Sequence, residues 1–333
     1  MLKMSQLLAT QSIDHMVLVD VGSAGGPTDL ASAADITTVV TFDPRPESED
    51  STTATPQFTR SHYKEVITMG MALSSKTEQR ELFVTRIPEG SSLLRPDAAV
   101  IGRVRSDNAL DHAATLLVDC RSLDDVLDGL AIGNVDELKI DTQGSELLIL
   151  QGATRWLPRI GVIRCEVEFI PLYVGQPLFD EVVAFLSSHG FRFLAFTDGR
   201  NLGGHYGIPK QVWGDAVFVR DSHDRSDATV LRQAVALADS GLWEDAIWLL
   251  DNHSDNSRRV LPQFSAALIS GERGSGLAAQ LVSIGDAIVD QLARHTGSGM
   301  KSRLVSAFSK SSAGRALLGR RMLRSSQRGA KKA

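Results

Sequence analysis

The sequence predicts an α/β fold, an open and mostly parallel sheet flanked by helices, with a ligand crevice at the carboxyl ends of its strands. Three observations carry this. Residues 16–26, Met-Val-Leu-Val-Asp-Val-Gly-Ser-Ala-Gly-Gly, are an apolar run that ends in an acid and three glycines. That is the pattern of a buried parallel strand entering a tight turn. Similar apolar runs end at Asp43 and at Asp141. Segments of helical period lie between later runs, the alternation expected of a parallel sheet.

In chain order, 5–12 predicts a short helix packed on the first strand, and 28–34 a helix after the glycine turn. Ile36 to Phe42 is β-branched and apolar, a second strand stopped by Asp43-Pro44. Gly22 and Asp43 are 21 residues apart, the spacing at which a β-turn-α-β unit sets an acid beside a bound ribose. The Ser/Thr-rich stretch 46–61 reads as loop. Residues 63–73 read as a third strand and 81–86 as an additional one. The Pro-, Gly- and Ser-punctuated stretch 87–106 reads as a long surface loop, the kind that serves as a lid or touches substrate.

From there 115–120 predicts a strand, and 123–130 a helix with Ser122 as its cap. Val135 to Ile140 is a buried strand ending at Asp141, followed by a helix over 145–151. Residues 161–169 form another strand, and 178–189 an amphipathic helix closed by Gly190. The last strands are 191–196 and 216–220, separated by a Gly-rich loop over 198–214. A polar linker at 221–227 leads to a helix pair turning at Ser240-Gly241. The run Ala234-x3-Ala238-x2-Gly241-x4-Ala246 resembles a tetratricopeptide pair, but with no second copy a helix packed on the main domain is the stronger reading. Residues 260–294 read as helical. This gives a domain over 1–220, a helical extension over 221–300 and a tail over 301–333.

The 333 residues carry a net charge of −5, unevenly spread. The tail holds ten Lys or Arg and no acid, which leaves 25 basic against 40 acidic residues elsewhere, a net of −15. An acidic body is not expected to bind nucleic acid. The tail reads either as a solvated, disordered end or as a peripheral contact with an anionic membrane or polymer. No run of eighteen apolar residues and no secretory signal is evident, so a cytoplasmic protein is expected, with the tail able to meet the inner membrane surface. Cys120 and Cys165 sit in apolar runs and read as buried, reduced thiols.

The motifs are specific enough to resemble a known family. Asp20-Val-Gly22-Ser-Ala-Gly-Gly26 resembles the D-x-G-x-x-x-G motif of class I S-adenosylmethionine-dependent methyltransferases. Lys139-Ile-Asp141-Thr-Gln143-Gly144-Ser-Glu146, continuing to Leu150-Gln-Gly152-Ala, resembles the K-I-D-x-(E/Q)-G-x-E-x-x-x-L-x-G-A signature of the FkbM family. Glu166-Val-Glu168, Leu172-Tyr173, Gly175-Gln176 and the closing Asp215-Ala-Val-Phe strand extend the likeness over about 16–220.

The resemblance implies a Rossmann-like, seven-stranded sheet with its last strand antiparallel, and S-adenosylmethionine as cofactor. It implies methyl transfer to a hydroxyl oxygen, often on a sugar or polyketide, so a small-molecule or glycan acceptor is expected. Asp20, Gly22, Ser23 and Gly26 would approach the methionine part of the cofactor. Asp43 would accept from the ribose hydroxyls, Ala72 and Leu73 would border the adenine, and Asp141 and Gln143 would lie by the methyl. Carboxylates suit this ligand because it carries a sulfonium cation, an amino group and hydroxyls. A hydroxyl nucleophile also calls for a general base, and Asp141, Glu168 and His205 are the candidates. Gln143 stands where many members have Glu, which removes a charge near the crevice. No resident metal is expected, although Asp141, Glu168 and substrate offer one conceivable divalent site.

Two alternatives belong to other classes. A nicotinamide-dependent oxidoreductase is disfavoured because position 24 is alanine, breaking G-x-G-x-x-G. A non-catalytic scaffold working through its C-terminal helices is disfavoured by acids at all three strand tips.

Overall fold

The computed structural model describes residues 3–22, 30–44, 62–104, 107–203, 209–221 and 225–271. It divides into two compact units, one of Ile13–Ala246 and one of Met1–Ser12 together with Ile247–Ala333.

The described strands are β1 (Met16–Val21), β2 (Thr37–Phe42), β3 (Glu65–Met69), β4 (Ala72–Leu73), β5 (Glu78–Thr85), β6 (His112–Arg121), β7 (Val135–Ile140), β8 (Ile160–Glu168), β9 (Phe191–Gly203) and β10 (Pro209–Arg220). The main sheet has seven of them in the order β3-β2-β1-β7-β8-β10-β9. The first five in that order run parallel, and β10 is antiparallel to both β8 and β9. This is the Rossmann-like arrangement expected, with the last strand antiparallel. β4, β6 and β5 form a separate three-stranded sheet.

β1 and β2 are buried along their whole length, which is why, Asp20 excepted, their sequences are apolar and β-branched runs. Val19 stands between Val40 and Leu138 in the parallel register. The chain winds outward through β2 and β3 on one side of β1 and returns through β7 on the other. Strand order therefore reverses between β1 and β7, and such a reversal opens a crevice at the carboxyl ends.

Helices cover the sheet. In the larger unit they are α2 (Ala98–Val104), α3 (Leu123–Asp128), α4 (Glu146–Gln151), α5 (Phe179–Ser188) and α6 (Asp227–Asp239). Ser122 caps α3 as expected, its Oγ accepting from Asp125 N at 3.1 Å. Leu123 and Leu127 of α3, Ile149 and Leu150 of α4 and Leu186 of α5 join Leu138, Ile163 and Phe218 in one buried core. α6 packs against β7 and β8. Arg232 of α6 reaches Asp136 at 3.1 Å, whose Oδ2 also accepts from Val17 N at 2.7 Å. Burial pushes the Asp136 carboxyl up against the pull of Arg232. α6 thus belongs with the sheet, although the sequence boundary at 220 falls before it.

In the smaller unit α1 (Met4–Thr10) packs against α8 (Asp255–Gly271). α7 (Trp243–His253) follows α6 after a turn at Gly241, whose φ is +83°.

Four stretches differ from expectation. The third strand breaks after Met69, and its two pieces, β3 and β4, enter different sheets. Residues 87–106 are no plain loop: a 3-10 turn spans Pro88–Gly90, Ser92 bridges Phe83, and α2 follows. β9 and β10 run on through the expected Gly-rich loop as an antiparallel hairpin. Gly199 and Gly214 face each other there because a Cβ on Gly199 would stand 3.1 Å from the Trp213 carbonyl oxygen. The helix expected over 28–34 is a 3-10 segment at Ala31–Ile36. The 301–333 tail lies outside the described residues.

Candidate active site

The crevice sits where β1, β2 and β7 end. β1 and β7 lie side by side, and Asp141 N donates to Val21 O at 2.9 Å just past their last paired residues. Gly22 N donates to Phe42 O at 3.2 Å, tying in β2. Gly22 takes φ +88°, and a Cβ there would lie 1.8 Å from the Asp141 carbonyl oxygen. Only glycine permits the two strand tips to close in this way.

A cavity opens above them. Gly22, Asp43, Asp141 and Gln143 line its base. Its walls come from the second sheet and the segment after it: Ala72, Leu73, Leu82 and Leu93 are apolar, and Glu89, Ser91 and Ser92 are polar. This wall is tethered, since Tyr173 donates its hydroxyl to Gly90 O at 2.7 Å and Pro96 bridges Tyr173.

The predicted site residues fall into three groups. Gly22, Asp43, Ala72, Leu73, Asp141 and Gln143 are brought together around the crevice. Asp20 is fully buried one layer down, 3.6 Å from Lys139 Nζ on the neighbouring strand, and Glu168 is buried behind β7 at the end of β8. Neither is among the lining residues. Ser23, Gly26 and His205 lie outside the described residues.

Behind the crevice stands a set of buried carboxyls. Glu146 accepts from Thr142 N at 2.7 Å and from Thr142 Oγ1 at 2.9 Å, and burial pushes it up to about 7. Glu166 and Glu168 are pushed well above the usual carboxylate range, first by burial and then by neighbouring acids. Gln143 Nε2 bridges Asp141 Oδ1, at 3.0 Å, and Glu166 Oε2. Burial also keeps the Cys165 thiol protonated and lifts Cys120 to about 11. Among the described residues, no group of three or more His, Cys, Asp or Glu is placed to hold a metal ion, and no helix is long and apolar enough to cross a membrane.

Sequence reading missed Glu89, Ser91 and Ser92 as crevice residues, although it marked their stretch for substrate contact. It also missed the burial of Glu146, whose position at the start of α4 is explained by the helix dipole alone. The chemistry of the crevice suits an adenosyl compound. Apolar walls can accept a flat ring, and the Asp43 and Asp141 carboxylates can accept from hydroxyls or face a cation.

The Methyltransferase FkbM domain model matches residues 20–193. Among solved structures, methyltransferase FkbM from Methylobacillus flagellatus KT aligns at 15% identity with a TM-score of 0.32, covering 62% of this chain and 44% of its own. This chain therefore spans less than half of that protein. Magnesium protoporphyrin IX methyltransferase (ChlM) from Synechocystis PCC 6803, solved with bound SAM, aligns at 10% identity with a TM-score of 0.30, covering 66% of this chain and 76% of its own. The curated proteins give no match.

Proposed function

The chain belongs to the FkbM methyltransferase family, and from that premise we propose that it methylates a hydroxyl oxygen of a sugar, glycan or related metabolite. S-adenosylmethionine is the cofactor; when bound, it supplies a methyl group already activated on a sulfonium centre. The observation that carries the reading is the closure of Gly22 onto Asp141, with Asp43 and Asp141 lining one crevice.

The residues divide the work. Asp43 accepts hydrogen bonds from the ribose hydroxyls. Leu73, Leu82 and Leu93 exclude water around the adenine. Asp141 offers a carboxylate to the positive end of the ligand and takes the acceptor's hydroxyl proton on a carboxylate oxygen. It is preferred to Glu168 as the base because it reaches the crevice, whereas Glu168 is buried and held toward its protonated form. Alignment of nucleophile and methyl is the main demand on such a site, and positioning of this kind lowers barriers by roughly 7–11 kcal/mol.

Titration calorimetry and thermal melting with S-adenosylmethionine, S-adenosylhomocysteine and NAD test the cofactor. Ligand at 100 times its dissociation constant adds about 2.7 kcal/mol of stability. Asp43→Ala is expected to weaken adenosyl binding at least about tenfold, the cost of a charged hydrogen bond. Stabilisation by NAD and by neither adenosyl ligand would sink the proposal. Transfer of labelled methyl into a fractionated mixture of glycans and hydroxylated metabolites, with the labelled product identified, tests the acceptor class.

A further inference from the structure

Gln143 faces the crevice but spends its amide nitrogen elsewhere. Nε2 carries two hydrogens, and both have takers: Asp141 Oδ1 at 3.0 Å and Glu166 Oε2. The residue is held at φ +58°, a left-handed conformation that costs a non-glycine residue about 1–2 kcal/mol. Glu166 is 6% exposed. It sits on β8 beside Asp141, because Ile140 and Cys165 are paired in the parallel register. We propose that Gln143 and Glu166 are positioning residues, with the Gln143 amide, anchored on Glu166, setting the Asp141 carboxylate in the crevice. This rests on Asp141 being the base in the reading above. It departs from the family resemblance, which puts Gln143 beside the cofactor itself.

Electrostatics supports the division of roles. Glu166 faces Asp141 at the end of β7, Glu146 of α4, Glu168 on its own strand and Asp215, its register partner on β10. The cations on these strands, Lys139 and Arg164, act on Asp215 and pair with Asp20 and Glu137. Adjacent buried carboxyls do not ionise together. Burial and these neighbouring acids therefore hold Glu166 toward its protonated form.

The test uses the full chain with Gln143→Gly, Gln143→Ala, Glu166→Gln and Glu166→Ala. Gln143→Gly removes the amide and relieves the left-handed backbone, so it is expected to melt at or above the wild type. Its kcat is expected to fall about 100-fold, the scale of a misplaced catalytic group. Glu166→Gln keeps an acceptor oxygen without charge and is expected to retain kcat within threefold, whereas Glu166→Ala falls with Gln143→Ala. If Gln143→Gly weakens cofactor binding tenfold or more at unchanged kcat, Gln143 is a cofactor ligand and the proposal fails. Equal damage in Glu166→Gln and Glu166→Ala also overturns it.

A readout without cofactor separates this from failure of the methyltransferase reading. An acid whose folded pKa is raised loses stability as pH rises above its unfolded value. The melting temperature of Glu166→Gln is therefore expected to gain on the wild type between pH 5 and pH 8. An unchanged gap means that Glu166 is not the protonated anchor, whatever the enzyme methylates.

Discussion

Gly22→Ala perturbs the closure of β1 onto β7 directly. The new Cβ would start 1.8 Å from the Asp141 carbonyl oxygen, and real Cβ atoms essentially never approach closer than 3.0 Å. The strand tips must separate by at least the difference, 1.2 Å. Two hydrogen bonds lie in the path, Asp141 N to Val21 O and Gly22 N to Phe42 O, each worth about 0.5–1.5 kcal/mol. The positive φ adds about 1–2 kcal/mol for a residue with a Cβ. A loss of about 2–5 kcal/mol follows, which for a unit of this size lowers the melting temperature by about 4–20 °C. Asp141 moves with the tip, so adenosyl affinity is expected to fall more than about tenfold, the equivalent of 1.4 kcal/mol. Thermal melting of the apo protein and calorimetric titration with S-adenosylhomocysteine read the two effects. A variant that melts within 2 °C of the wild type and binds with unchanged affinity would refute the close-approach argument.

Two further substitutions address charge buried away from the crevice floor. Glu146 rises from 4.5 to about 7 in the folded protein, so its contribution is fully present below pH 4.5 and is lost as pH climbs through 7, a change of about 3 kcal/mol. Glu146→Gln escapes that loss, and its melting temperature relative to the wild type should be about 6–12 °C higher at pH 8.5 than at pH 4.5; a gap that does not move with pH rejects the burial argument. Arg232→Ala leaves the Asp136 carboxyl buried without its cation, at a cost of about 3–5 kcal/mol in urea unfolding near pH 8. Because Asp136 can then take up a proton, the cost should shrink at pH 5, and an equal cost at both values would contradict the pairing.

The parts of the molecule legible in the sequence are those where one physical demand acts alone. β1, β2 and β8 are buried, so a mainly apolar run such as Met16–Val21 announces itself, whereas β7 is marked only by Val135, Leu138 and Ile140 among three charged residues. The acids that end them are equally visible, and so is Ser122, whose cap needs only local geometry. The hairpin of β9 and β10 stayed hidden because its outer half is polar and glycine-rich and its pairing is irregular, with register shifts at three places. The wall of the crevice was hidden for another reason. Leu82, Leu93 and Glu89 reach it only through the fold of the second sheet, and no local pattern marks them. Glu166 shows the same limit. Its partner Gln143 is 23 residues away, and only the register of β7 on β8 brings the two together.

The position of β1 inside the sheet, between β2 and β7, has a consequence for synthesis. Its neighbour β2 follows within 21 residues of Met16, but Asp141 emerges 119 residues after Gly22. At roughly 5–20 residues per second, the ribosome needs roughly 6–24 s to deliver it. Throughout that interval one edge of a fully buried strand has no native partner to pair with, and an uncovered apolar edge is a template for wrong pairing. The turn at Gly22 is thus made well before it is completed.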